Sequence, residues 1–175
     1  LIKSLSARRS STQAAEAEAV LALLGKRKEI MIVESIGSVL KKKGQDISSV
    51  APGATVHEAI ALMATNNVGA VLVISEGSLV GIITIRDFGR KVVLEGKSAR
   101  EVRVQEIMTS SLITVTPETN VLKAMAMMTD HHIRHLPVLE HGELSGIVSM
   151  ADLVNEVVTG QAFVIDQLQR YIGQV

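Results

Sequence analysis

Apolar residues in this chain recur first at helical spacing and then in strand-like runs, and the whole succession occurs twice. Val56, Ala59, Ile60 and Met63 lie three and four apart, which predicts a helix with one buried face, and Thr55 followed by Glu58 forms a capping box at its start. The apolar run over residues 69–74 predicts a buried strand, Glu76-Gly77-Ser78 a turn, residues 79–84 a returning strand and residues 86–94 a closing helix. A short strand over 47–50, ending at Pro52, precedes them. Further upstream, Ile36, Val39 and Leu40 mark one face of a helix over 34–43 that stops at Gly44. Lys41-Lys42-Lys43 falls in its last turn, where cations suit the negative end of the helix dipole.

Residues 47–93 align with 112–158 without a gap, at a constant offset of 65 positions. Val50/Val115, Pro52/Pro117, Ala59/Ala124, Met63/Met128, Gly77/Gly142, Gly81/Gly146 and Asp87/Asp152 are identical pairs. The second copy therefore predicts a strand over 112–115, a helix with Val121, Ala124, Met125 and Met128 inward, strands over 136–139 and 144–149, and a helix from Ala151. Such duplication means one supersecondary unit used twice, neither half closing its core alone. The lead-in segments match less tightly: Leu40 to Pro52 spans 12 positions, Met108 to Pro117 only 9. Two further helices are predicted, over 13–24 and, with Val164, Leu168, Tyr171 and Ile172 on one face, over 161–172.

Composition narrows the function classes. Hydrophobic residues make up 47% against 21% charged, which favours a buried α/β core. The longest apolar run, from Val68 to Ile74, is too short to span a bilayer, so no membrane role is expected. Net charge is zero and only Phe88, Phe163 and Tyr171 are aromatic, which argues against nucleic acid as a partner. The absence of cysteine removes disulfides, thiolate catalysis and cysteine-based metal sites. Lys3, Arg8, Arg9 and five hydroxyl residues precede the first acid, Glu16, a pattern that resembles part of an organellar transit peptide and equally suits a polar disordered terminus, so that an organelle or else the cytoplasm is the expected compartment.

Each copy closes with a glycine, two apolar residues, a hydroxyl residue and, three positions on, an aspartate: Gly81-Ile82-Ile83-Thr84-Ile85-Arg86-Asp87 and Gly146-Ile147-Val148-Ser149-Met150-Ala151-Asp152. Amides at a helix start suit phosphate, a hydroxyl adds a hydrogen bond, and a carboxylate can accept both ribose hydroxyls. The same phrase is also an ordinary helix cap. His131 and His135, four apart, straddle a predicted helix-to-strand junction and should not share a face as a helical zinc pair does.

Stripe, proline, turn and closing phrase together resemble a tandem pair of cystathionine-β-synthase (CBS) domains, a Bateman module, over residues 34–158. The resemblance implies an α/β fold of two β-α-β-β-α repeats packed about a pseudo-twofold axis, flanked by N- and C-terminal helices. The corresponding division is an extension over 1–33, repeat one over 34–97, repeat two over 98–159 and a terminal helix over 160–175. It further implies two clefts for an adenosine-containing ligand (AMP, ADP, ATP or S-adenosylmethionine), no required cofactor, no metal and a homodimer. Carried over residue by residue, Asp87 and Asp152 become ribose-binding acids and Thr84 and Ser149 phosphate-side hydroxyls. Val68, Gly69 and Ala70 line the base in one repeat, and Ile133, Arg134 and His135 in the other. The clefts should be unequal, since Arg134 and His135 replace Gly69 and Ala70 while Ala151 replaces Arg86.

The function expected is that of a non-catalytic regulator sensing an adenine nucleotide and modulating a partner protein. Resemblance to stand-alone CBS pairs of plant mitochondria and bacteria points to a thioredoxin system, which a chain without cysteine would modulate by contact. The competing expectations are a structural dimerisation module with weak or empty sites, and a small hydrolase or transferase, for which no nucleophile–base constellation is apparent.

Overall fold

In the computed structural model, which describes residues 34–44 and 47–172, with side chains as far as residue 162, the duplicated pattern becomes two small sheets facing each other. Residues Glu34–Thr159 make up the unit that contains both repeats.

Ser35 accepts from the Ser38 amide to start α1 (Ile36–Lys43), which ends at Gly44 with φ 90°. Repeat one then runs β1 (Ser49–Val50), α2 (Val56–Thr65), β2 (Ala70–Ser75), β3 (Ser78–Thr84) and α3 (Ile85–Phe88), which passes into a π-helical segment, Gly89–Val93. The connector carries α4 (Val104–Ile107), and repeat two comprises α5 (Val121–Asp130), β4 (His135–Glu140), β5 (Glu143–Ser149) and α6 (Met150–Ile172). The sheets are ordered β1-β2-β3 and β4-β5, with β1 parallel to β2 and each hairpin antiparallel. Among the described residues, no helix is long and apolar enough to cross a membrane.

The copies match in fine geometry. Both hairpins slip register at one place, Val73/Ile74 and Val138/Leu139. Both turn through two residues of positive φ, Glu76-Gly77 and His141-Gly142, the primed turn that suits the right-handed twist of paired strands. Asn67 and His132, at equivalent helix exits, share φ values of 52° and 54°.

Strand alternation divides the core. Val71 and Val73 on β2 face Val56, Ala59 and Met63 of α2, while Ala70 and Leu72 face the opposite sheet, meeting Leu112, Leu144 and Ile147 of repeat two. Burying both faces of β2 requires the near-continuous apolar run seen in the sequence. Each fully buried aliphatic side chain contributes about 1.5–3 kcal/mol.

Three expectations are corrected. The strand expected over 112–115 shrinks to a single bridge, Val115 with Val138, because the residues before it turn towards a cavity instead of pairing with β4. The closing helix of repeat one begins at Ile85 and widens at Gly89, where the Leu94 amide donates to the Gly89 carbonyl five residues back. The helices expected from Ala151 and over 161–172 are one, α6, running through Gly160. The helix over 13–24 and the apolar face over 164–172 lie outside the described residues and side chains.

The lead-in segment of each repeat is attached to the other repeat. Amides of Ile36 and Gly37 donate to the carbonyls of Thr119 and Pro117, and those of Val104 and Gln105 to Ala54 and Pro52. Leu40 fills the space over Gly146, and Met108 that over Gly81. This second correspondence has an offset of 68, three more than within the repeats, and the three extra positions have a structural expression. After Leu40, α1 continues for another turn to Lys43, whereas after Met108 the chain is extended and Thr109 exchanges backbone hydrogen bonds with Ile82.

Candidate functional site

Between the repeats lies a cavity of about 530 Å³, within the roughly 300–1,000 Å³ usual for small-molecule sites. Repeat one contributes Gly69, Thr84, Arg86 and Asp87; repeat two contributes Leu112, Ile113, Ile133, Arg134 and His135; the connector contributes Thr109 and Ser111. Arg134 and His135 thus stand in the same cavity as Asp87 of the other repeat. A β-carbon on Gly69 would lie 3.5 Å from His135 Cε1, so the starts of β2 and β4 approach closely here.

Thr84 and Asp87 form a complete capping box. Asp87 Oδ2 accepts from the Thr84 hydroxyl at 2.6 Å and the Thr84 amide at 3.1 Å, and the Asp87 amide donates to Thr84 Oγ1. Asp87 Oδ1 lies 3.1 Å from Lys91 Nζ, an ammonium that also donates to the Ile107 carbonyl at the end of α4. Exposed amides at this helix start are scarce, since the Ile85 amide donates to the Gly69 carbonyl and that of Asp87 to Thr84. Arg86 and Arg134 add side-chain donors to the cavity lining. Arg86 Nη1 reaches across the repeats to the His132 carbonyl at 2.7 Å. Arg134 makes no hydrogen bond through its guanidinium among the described residues. Two guanidinium groups against one carboxylate give the cavity a cationic bias.

Burial, followed by the nearby positive charge of Lys43, holds the His135 imidazole below its usual pKa; Asp152 opposes this and Arg134 adds to it.

The equivalent phrase of repeat two carries the same cap, with Asp152 Oδ2 accepting from the Ser149 amide at 2.7 Å and hydroxyl at 2.8 Å. Its surroundings differ. Lys43, from the extra turn of α1, donates to Asp152 Oδ2 at 2.7 Å and to the Ile147 carbonyl at 3.3 Å. Lys42 beside it bridges Glu34 and Glu156 at 2.8 and 2.6 Å. Burial alone would raise the Asp152 pKa, but the hydrogen bonds from Lys43 and Ser149 prevail and hold it below the usual carboxylate value.

Of the residues singled out from sequence, Gly69, Thr84, Arg86, Asp87, Ile133, Arg134 and His135 line one cavity. Val68 lies on a neighbouring hollow with Asn67 and Ile60, and Ala70 is buried between the sheets. Ser149 and Asp152 are not among the cavity's lining residues. Sequence reasoning missed the connector residues Thr109 and Ser111, the repeat-two residues Leu112 and Ile113, and the lysine on each acid. The unequal lead-in lengths were the available signal for Lys43.

Two matched α-β-β-α units around a shared cleft, the first with an added parallel strand and the second with a single bridge in its place, define a tandem-repeat α/β module. The CBS domain pattern matches residues 36–93 and again 104–159, so the chain belongs to the CBS-domain family and carries its domain as a pair. It is 41% identical to the mitochondrial CBS domain-containing protein CBSX3 of Arabidopsis thaliana over 147 residues, 79% of this chain and 71% of that one. The solved structure of a protein with CBS domains from Burkholderia ambifaria superimposes with a TM-score of 0.70 at 41% identity, covering 71% of this chain and 94% of that one. The CBS domain pair of protein MJ0100, solved in complex with 5′-methylthioadenosine and S-adenosyl-L-methionine, shares the fold at 24% identity, with a TM-score of 0.63 over 73% of this chain and 97% of that one.

Proposed function

We propose that this CBS pair is a non-catalytic sensor that takes an adenosine-containing ligand in the cavity between its repeats and passes the bound state to a partner protein. The observation that carries the reading is the meeting of Asp87 and Thr84 from one repeat with Arg134 and His135 from the other on one cavity wall. Asp87 would receive the ribose hydroxyls, Ile133 and Gly69 would flank the base, and Arg134 and Arg86 would meet phosphate. The cationic bias favours a nucleoside phosphate such as AMP, ADP or ATP over the positively charged S-adenosylmethionine. Regulation then requires that the ligand bind one conformation of the pair better than another. The thioredoxin system implied by the family resemblance would be reached by contact, because the sequence contains no cysteine. A mitochondrial setting is supported by the likeness to CBSX3.

A second reading is favoured by the capping boxes themselves: if both acids serve only as caps, the module is an interaction scaffold. Val93 and Val158, at equivalent positions of the two closing helices, are 57% and 58% exposed, which supports coverage by a second copy.

Thermal unfolding with AMP, ADP, ATP, S-adenosylmethionine and NAD separates the readings. A ligand at about 100 times its dissociation constant adds about 2.7 kcal/mol of stability. Stabilisation by an adenine nucleotide that Asp87→Ala abolishes is expected; no shift with any of the five sinks the sensor reading. Incubation with labelled ATP should return it unchanged, and turnover would revive an enzymatic one.

A further inference from the structure

Lys43 and Asp152 are brought together by a feature that only one of the two lead-in segments has. On the side of repeat one, the chain after Met108 is extended, and Thr109 and Ser111 become part of the cavity wall in front of Asp87. On the side of repeat two, the matching positions are Lys41 and Lys43, still helical, and the extra turn carries the Lys43 ammonium onto the carboxylate oxygen of Asp152. That oxygen then has three donors within 2.8 Å: the Ser149 amide, the Ser149 hydroxyl and Lys43. The Ile147 carbonyl, on the last strand of the same repeat, holds the ammonium from a second side.

Asp87 also has a lysine, but the geometry is different. Lys91 sits one turn along the helix from Asp87, faces its other carboxylate oxygen and is drawn towards the end of α4 by the Ile107 carbonyl. Asp87 remains part of the cavity lining, and Lys91 does not contribute to it. The helix position of Lys91 is taken in repeat two by Glu156, which binds Lys42 and so fastens the last turn of α1 beside Lys43.

Resting on the reading of these acids as ribose acceptors, we infer that the chain takes one nucleoside ligand and not two, because Lys43 occupies the carboxylate of the second cleft as an internal plug. Ribose hydroxyls and the Lys43 ammonium compete for the same carboxylate. The chain's own cation, being tethered, is present at that carboxylate at a high effective concentration. Lys43 is therefore the residue that sets stoichiometry, and Ser111, its counterpart on the other side, leaves its cleft open.

The test is equilibrium titration of the full chain with AMP, comparing the wild type, Lys43→Ser, which installs the residue of the open side, and Lys42→Ser, which removes the neighbouring lysine. The expected result is one AMP per wild-type chain, two per Lys43→Ser chain and one per Lys42→Ser chain, with Asp152→Ala returning the Lys43→Ser protein to one. Two AMP per wild-type chain, or equal stoichiometry in the wild type and Lys43→Ser, overturns the plug whatever that stoichiometry is. A wild type that binds none while Lys43→Ser binds one upholds the plug and defeats the sensor reading, so the two ideas fail separately.

Discussion

Met108 lies over Gly81 so closely that a β-carbon on the glycine would stand 2.6 Å from the methionine sulfur. The glycine is thus the seat on which the connector rests as it passes from one repeat to the other. Gly81→Ala should destabilise the protein by about 1–3 kcal/mol, the usual cost of forcing atoms into a packed core. Urea denaturation measures this, and adding Met108→Ala should return part of the loss. If the double variant is as unstable as the sum of the two single ones, the contact is not the cause.

Leu72 is fully buried between the sheets, with residues of both repeats around it. Leu72→Ala is expected to cost about 2–5 kcal/mol, by lost burial and the cavity left behind. Chemical denaturation should show a single transition at a lower midpoint, since the residue belongs to the contact between halves.

Arg134 is the cation through which the cavity would discriminate phosphate. A hydrogen bond to a charged group is worth about 1.5–3 kcal/mol, and each 1.4 kcal/mol is tenfold in affinity. Arg134→Ala should therefore weaken AMP binding by about ten- to a hundredfold and leave adenosine binding nearly unchanged. Equal losses for both ligands in calorimetry would place Arg134 elsewhere than at the phosphate.

The depressed pKa of His135 means that the folded protein binds fewer protons there than the unfolded chain. Its contribution is intact above about pH 6.5 and declines as pH falls through the folded-state value. Asp152, depressed in its turn, loses its contribution only in the acid range, as pH falls below about 3.9 through its own folded-state value. Stability measured from pH 8 to pH 3 should fall in two stages. His135→Gln should flatten the first, and Asp152→Asn should reduce the second, to which Glu34, held down by Lys42, and Glu58, held down by Thr55, also contribute.

The elements with strong periodicity were legible in the sequence because one physical cause fixed each. The stripe of Val56, Ala59 and Met63 faces the core as its spacing requires, and Thr55 and Glu58 form both halves of their box. The strand over 112–115 was misread because its apolar pattern is equally served by lining a cavity: Leu112 packs between the sheets and borders the cavity without pairing with β4. The meeting of Arg134 with Asp87 depends on how two sheets face each other, which local pattern does not encode. The placement of Lys43 on Asp152 joins residues 109 positions apart through a helix whose length, not composition, decides the contact.

The exchange of lead-in segments has a bearing on how the chain can be cut. Residues Glu34 to Leu40 precede repeat one in the sequence, yet their hydrogen bonds go to Pro117, Thr119 and Val121 and their leucine covers Gly146. A fragment starting at Pro52 would keep the hairpin of its own repeat and strip the neighbour of its cover. Neither half is a removable cassette: the order of building blocks along the polypeptide and the partnership of those blocks in space are out of step by one repeat.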